Sequence, residues 1–195
     1  MPKVIDQVKR RAQLAQTAME VIAANGLQGA TLRNIADAAE VSVGILQHNF
    51  RTRDALLIAA FEVAVARVEQ MVIDFSGTTK DAIKKFAIDT LPLDRQRQIE
   101  WRVMVAFRAE ALSNRILSRE QRSRWRKFRQ LFKSAIEQGV NSGKISKKVD
   151  PENASYSILC AIDGSAMLSL FLNREWCAAE QAANLGATID RILSP

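Results

Sequence analysis

The sequence contains few of the residues that interrupt regular secondary structure. Glycine occurs eight times and proline four times in 195 residues. Because tight turns depend on these residues, a sandwich or barrel of many short strands is disfavoured and long helices are favoured. Apolar residues make up 48% of the chain, which is enough for a sizeable core and argues against disorder.

Cysteine and histidine are also scarce. Two cysteines and one histidine argue against a disulfide scaffold and a classical zinc site, so no metal and no cofactor is predicted. The chain lacks a glycine-rich phosphate loop, which together with the single histidine disfavours an enzyme. The sequence shows no secretory leader and no run of about 18 uncharged apolar residues. We therefore expect a cytoplasmic protein without a membrane span.

The net charge of +7 is unevenly distributed along the chain. Residues 94–148 carry 15 Lys and Arg side chains against five acidic ones. A basic excess indicates a polyanionic partner, but this excess does not coincide with the motif described below. Within it, basic side chains form one stripe on a predicted helix over 118–140: Arg119, Arg122, Arg126, Arg129 and Lys133. A solvated helix face is one interpretation of the stripe; an interaction or membrane-surface protein is the alternative function.

Nearly every segment has the apolar period of a helix, which predicts an all-α protein with about nine helices. The predicted helices cover residues 7–25, 31–39, 42–48, 53–76, 79–90, 94–113, 118–140, 151–172 and 178–193. The first three form a head over residues 1–54. The remaining residues, 55–195, form a larger helical part that shares the helix starting near residue 53.

The most informative stretch is TLRNIADAAEVSVGILQHNF, residues 31–50. It predicts two short capped helices three residues apart, the helix-turn-helix arrangement, whose second helix fits the major groove of DNA. Gly44 would allow close approach to the duplex, and Gln47 can pair with adenine. The candidates for base contacts are Val43, Gly44, Gln47 and His48. The candidates for phosphate contacts, through hydroxyls, helix N-termini and charge, are Thr31, Arg33, Ser42, Arg51 and Arg53.

These residues resemble the tetracycline-repressor (TetR) family of bacterial transcriptional regulators. The matching positions are Thr31, Ile35, Ala36, Ala39, Val41, Ser42, Gly44, Leu46, Phe50 and Leu56. The sequences at the start of the chain, at 44–50, at 100–112 and at 163–164 are similar to the corresponding sequences of the choline–betaine regulators in that family. The resemblance implies a homodimeric repressor that binds a palindromic double-stranded DNA operator and is released by an unidentified small-molecule effector.

The sequence departs from the family pattern at four positions. Glu40 stands where the family has glycine at the turn, and a left-handed conformation there would cost about 1 kcal/mol. Gln47 and Asn49 replace common aromatic residues, one of which usually contacts phosphate. Arg53 replaces lysine and has the more directional fork of donors.

The resemblance places a small-molecule pocket in the larger part of the chain. The pocket candidates are Trp101, Met104, Phe107, Glu110, Trp125, Met167 and Phe171; ordinary core packing is the alternative for each. Glu110 among aromatic rings would suit a quaternary ammonium ligand. Arg102 and Arg108, nearby in sequence, oppose a cation, so the ligand is left unassigned.

The segment 156–172 is apolar almost all round, so it must bury both faces, one against its own core and one against a second chain. The candidate interface residues are Tyr156, Asp163, Met167, Ala182, Leu185 and Ile189. A two-fold dimer of this kind would present its two reading helices about 34–36 Å apart, one turn of DNA. The shared helix over 53–76 is the predicted lever through which a ligand shifts the population away from DNA binding.

Overall fold

The computed structural model describes residues 2–172 and 175–194. Within those ranges the chain forms nine α-helices and no strand, which confirms the all-α prediction. The helices are α1 (Pro2–Gly29), α2 (Leu32–Ala38), α3 (Val43–Asn49), α4 (Arg53–Asp74), α5 (Lys80–Asp89), α6 (Arg95–Ala111), α7 (Arg115–Asn141), α8 (Pro151–Phe171) and α9 (Ala178–Ile192).

The start of α7 shows how a side chain sets a helix boundary. The sequence predicts a start at Ser118, but α7 begins at Arg115. The carboxamide oxygen of Asn114 accepts from the backbone N–H of Ile116 at 2.9 Å, so Asn114 supplies the cap. The beginning of α7 is therefore fixed three residues earlier than predicted.

The chain divides into two compact units. The first takes residues 1–67 and 99–121, and the second takes residues 68–98 and 122–195. The predicted head, residues 1–54, lies inside the first unit, which also includes the first part of α4 and most of α6. The reason is packing between those two helices, because the rings of Phe61 and Phe107 stack at 4.0 Å and Arg67 pairs with the buried Glu100 at 3.1 Å.

In the first unit, α2 packs against both α1 and α3. The apolar side chains of these helices are buried: Leu14, Ala18, Met19, Ile22, Ile35, Ala36, Leu46 and Phe50. Each short helix begins at a hydroxyl cap. Thr31 Oγ1 accepts from the N–H of Asn34 at 3.1 Å, and Ser42 Oγ accepts from the N–H of Ile45 at 3.3 Å.

The connection between α2 and α3 is a tight turn with a strained residue. The N–H of Val41 donates to the carbonyl of Ala36, and the N–H of Glu40 donates to that of Asp37, the paired bonds of a Schellman turn. Glu40 consequently has a φ of 53°, in the left-handed region. Glu40 therefore adopts the left-handed conformation that is costly for any residue other than glycine.

In the second unit, α9 packs against α5 and α8. Leu185 and Ile189 have no exposed surface. The apolar face of α9 that they form packs within the chain, so these two residues, which the sequence assigns to a dimer interface, offer no free surface to a second copy. Phe86 of α5 lies at the centre of an aromatic cluster, with ring centroids 4.7 Å from Phe75 and 5.6 Å from Phe132.

Glu152 of α8 accepts from two basic residues of α7, Arg129 and Lys133, the latter at 2.8 Å. The hydrogen bond from Lys133 is the main cause that lowers the pKa of Glu152, and the same bond raises the pKa of Lys133. The stabilisation from charged Glu152 is thus present above the usual carboxyl range and is lost only as pH falls through the lowered pKa. Two members of the predicted basic stripe therefore share one acidic partner, which compensates one of their two charges.

Replacing Glu40 with glycine should stabilise the protein. Glycine adopts the observed φ without a clash of its Cβ, so Glu40→Gly should raise the free energy of unfolding by about 1 kcal/mol, or the melting temperature by about 2–4 °C. Glu40→Ala is the control, because it removes the charge but keeps the Cβ. An equal gain from both variants in thermal denaturation would show that charge, and not backbone strain, is the cause.

Candidate nucleic-acid interface

α3 has one buried side and one exposed side. Leu46 is fully buried, whereas Gly44, Gln47 and His48 are exposed and Val43 is half-buried. The four base-contact candidates occupy positions i, i+1, i+4 and i+5 of this helix, so they share one side of it. The structure thus brings them together, pointing away from the core that Leu46 joins.

Gly44 has no steric reason, within the described chain, to be glycine. A Cβ built at this position would lie 3.7 Å from Ser42 Oγ, an ordinary contact, and would meet nothing closer. Its φ is also not in the left-handed region. Alanine would favour the helix by up to about 1 kcal/mol. Folding therefore does not require glycine at position 44, and the effect of the missing side chain is to leave the outer surface of α3 bare at this point.

The phosphate-contact candidates are all exposed: Thr31, Arg33, Ser42, Arg51 and Arg53. Thr31 and Ser42 cap α2 and α3, so their positions mark two helix N-termini, where backbone N–H groups favour an anion. Arg33 and Arg51 carry charge without an acidic partner in the part of the chain that the structure describes.

Arg53 differs from the other candidates because it has an acidic partner. Its guanidinium Nη1 lies 2.9 Å from Glu110 Oε1 of α6, and the neighbouring Asp54 accepts from the Asn114 amide at 2.9 Å. Glu110 at the end of α6 and Asn114, three residues beyond that end, therefore hold the beginning of α4. Sequence reasoning missed both contacts, which join residues more than 50 positions apart.

Arg11 of α1 is a second residue that the sequence reasoning missed. Its guanidinium donates to the carbonyl oxygen of Asn49 at the end of α3 and lies 4.2 Å from the centroid of the Phe50 ring. The carboxamide of Asn49 donates to Ile45 of its own helix at 2.8 Å. A cation at a helix C-terminus is favourable, so Arg11 fixes the C-terminal end of α3 on α1.

The pocket candidates are placed in two different ways. In the first unit Trp101, Met104 and Phe107 are buried core residues, and the guanidinium of Arg108 lies 5.2 Å from the centroid of the Trp101 ring. Glu110 is engaged by Arg53. Two residues suggested by the sequence as a quaternary ammonium site, Trp101 and Glu110, therefore already contact cations of the chain itself, Arg108 and Arg53. In the second unit Trp125, Met167 and Phe171 are exposed.

α8 carries an exposed apolar side along its length. Large side chains on it are 41% to 78% exposed: Tyr156, Met167, Leu168 and Phe171. Asp163 and Ala182 are half-buried. Of the interface candidates, Tyr156 and Met167 therefore have the surface that a second chain requires.

By length and composition, α8 could cross a membrane, contrary to the sequence expectation. However, 39% of its most apolar window is buried within the chain. A helix that packs on two sides in a protein has the same composition, so this property is weak evidence for a membrane.

Comparison with known families gives two matches. Residues 14–60 match the model of the bacterial regulatory proteins of the tetR family. Residues 79–194 match the C-terminal domain of BetI-type transcriptional repressors. The first match includes the whole of α2 and α3, with their capped turn.

Individual proteins are similar to this chain over different lengths. The HTH-type transcriptional regulator PksA of Bacillus subtilis is 35% identical over 114 residues, which are 57% of this chain and 56% of that protein. The regulator BetI 2 of Chromohalobacter salexigens is 29% identical over 100% of this chain and 93% of its own. A solved transcriptional regulator from Rhodococcus sp. Rha1 superimposes with a TM-score of 0.84 at 25% identity, covering 94% of this chain and 95% of its own. The first curated match thus spans about half the length of that relative.

Adding a side chain at position 44 should affect duplex binding without affecting the stability of the fold. Because a Cβ has room there, Gly44→Ala should leave the melting temperature unchanged or raise it, since alanine favours the helix. The same change should weaken duplex binding at least about tenfold, because it adds bulk where the backbone of α3 would approach the bases. Melting curves and fluorescence anisotropy with a labelled duplex measure the two effects. An unchanged affinity of the variant for the duplex would show that α3 is not the surface that contacts DNA.

Proposed function

Because its C-terminal match alone covers more than half of the sequence, this chain belongs to the TetR family of bacterial regulatory proteins, and we propose that it is a DNA-binding transcriptional regulator. We infer that it acts as a repressor, is not an enzyme and works in the cytoplasm. The proposed partners are a double-stranded operator, a small-molecule effector and a second copy of the chain.

The observation that carries this proposal is the exposed side of α3. Its backbone is bare at Gly44, and Gln47 and His48 flank that position without a partner in the described chain. The buried Leu46 and the capped turn hold the helix firmly on α2. A rigid helix with polar side chains and a small residue on its outer side suits the major groove.

The exposed side of α8 supports the homodimer. Tyr156, Met167 and Phe171 leave large apolar surfaces in water, which a second copy of α8 would cover in a two-fold contact. Such a dimer presents two copies of α3, so the operator should be a palindrome with half-sites about one helical turn apart. An effector that binds better to a form with misplaced heads would release the DNA.

Selection from random duplexes tests the proposal directly. The purified chain should enrich a palindromic site, and the enrichment should weaken with rising salt as phosphate contacts are lost. Gln47→Ala should change the enriched bases more than the salt dependence, because Gln47 is assigned to base reading. Gln13→Ala, an exposed glutamine of α1, is the matched control. A monomeric chain, or one without preference among duplexes at moderate salt, would contradict the proposal.

The ion pair between Arg53 and Glu110 should compete with DNA phosphate for the same guanidinium. An exposed pair of this kind is worth about 0.2–1 kcal/mol, so Glu110→Gln should strengthen operator binding by up to about fivefold. Arg53→Gln should weaken binding, and adding Glu110→Gln to it should then have no further effect. Anisotropy titrations of the four proteins measure this cycle; a gain from Glu110→Gln that persists without Arg53 would refute the competition.

A further inference from the structure

The second unit contains an open groove that the proposed function does not use. Its volume is about 660 Å³, within the usual range for small-molecule sites. One wall is the end of α4 with residues 75–78, and the other is the stretch of α7 from 126 to 138. Its apolar lining includes Val72, Phe75, Leu131 and Ala135.

Two glycines mark close backbone contacts beside this groove. A Cβ on Gly77 would lie 2.4 Å from the Cβ of Ala82, and a Cβ on Gly139 would lie 2.6 Å from the carbonyl oxygen of Thr78. Neither distance is compatible with a side chain, so within the segment 75–78 residue 77 lies directly against α5 and residue 78 lies directly against the backbone of α7. The groove is therefore already formed in the folded chain and does not depend on rearrangement of that segment.

The charge along the groove has one sign. Three basic residues and no acidic residue line it. Arg129 pairs with Glu152, but Arg126 and Lys127 are exposed and form no ion pair among the described residues. Arg126 Nε donates to the backbone carbonyl oxygen of Arg122 at 3.3 Å, and this neutral acceptor leaves the positive charge of the guanidinium uncompensated. Charge complementarity thus disfavours a cationic ligand and favours an anionic one.

We propose that this groove binds an amphipathic carboxylate with an unbranched aliphatic chain. The carboxylate lies at Arg126 and Lys127, and the chain follows the apolar wall toward Ala135. From residue 126 to residue 138, α7 rises about 18 Å, long enough for a medium-length chain. The inference names the chemical class of the effector and in that respect rests on the proposed function, but binding in the groove does not require DNA.

Calorimetric titration of the full chain without DNA tests the groove by itself. Decanoate below its micellar concentration should bind one site per chain, whereas decyltrimethylammonium, with the same tail and the opposite charge, should not. Acetate should fail to compete, because it lacks the chain. Equal binding of both decyl compounds, competition by acetate, or binding to anionic vesicles without binding of free decanoate would each overturn the proposal.

Variants on α7 locate the site. The double change Arg126→Gln with Lys127→Gln should weaken decanoate binding at least about tenfold. Arg122→Gln is the matched control, an exposed arginine on the same helix that does not line the groove, and it should bind decanoate normally. Equal weakening by the control would indicate diffuse attraction and overturn the assignment. Melting curves of both variants show whether the fold is retained.

A second titration separates this inference from the proposed function. Decanoate should reduce the affinity of the wild-type chain for its selected duplex. It should not change the affinity of the double variant for the same duplex. If the chain selects no duplex, but the wild type binds decanoate and the double variant fails to bind it, the proposed function fails and the groove assignment stands. If the duplex binds and decanoate does not, the groove assignment fails alone.

Discussion

The four residues between α2 and α3 determine what the first unit can present to a partner. Two backbone hydrogen bonds close the turn on Ala36 and Asp37, and Ser42 caps α3 immediately afterwards. The chain accepts a left-handed Glu40 to keep this connection short. A longer or looser connection would allow Leu46 to leave the core, and the exposed side of α3 would lose its fixed direction.

The basic charge of the chain is divided between paired and unpaired side chains. Glu110, Glu69 and Glu152 each engage an arginine that belongs to another helix. The arginines and lysine that remain exposed on α7 are those around the groove and along the outer face of the same helix. Net charge alone therefore could not locate the unpaired basic surfaces, whereas the distribution of carboxylates does.

Local signals made most of the fold predictable. Hydroxyl caps at Thr31 and Ser42 and the Asp150–Pro151 start are encoded within a few neighbouring residues, and the structure has each of them. The errors concern partners distant in sequence. An apolar stripe on α9 shows that Leu185 is covered but not by which helix, and the bond from Arg53 to Glu110 spans 57 positions. Among the site residues, the side of α3 followed from helical spacing, whereas Arg11 became evident only from its contact with Asn49.

The first unit does not end where its DNA-facing motif ends. It includes residues 99–121, whose Glu110 and Asn114 hold Arg53 and Asp54. A chimera that grafts residues 1–54 onto another regulator body would break these bonds, because Glu110 and Asn114 lie outside the graft. Transplanting the specificity of this protein therefore requires the two discontinuous segments together, so a single crossover point in the gene is insufficient.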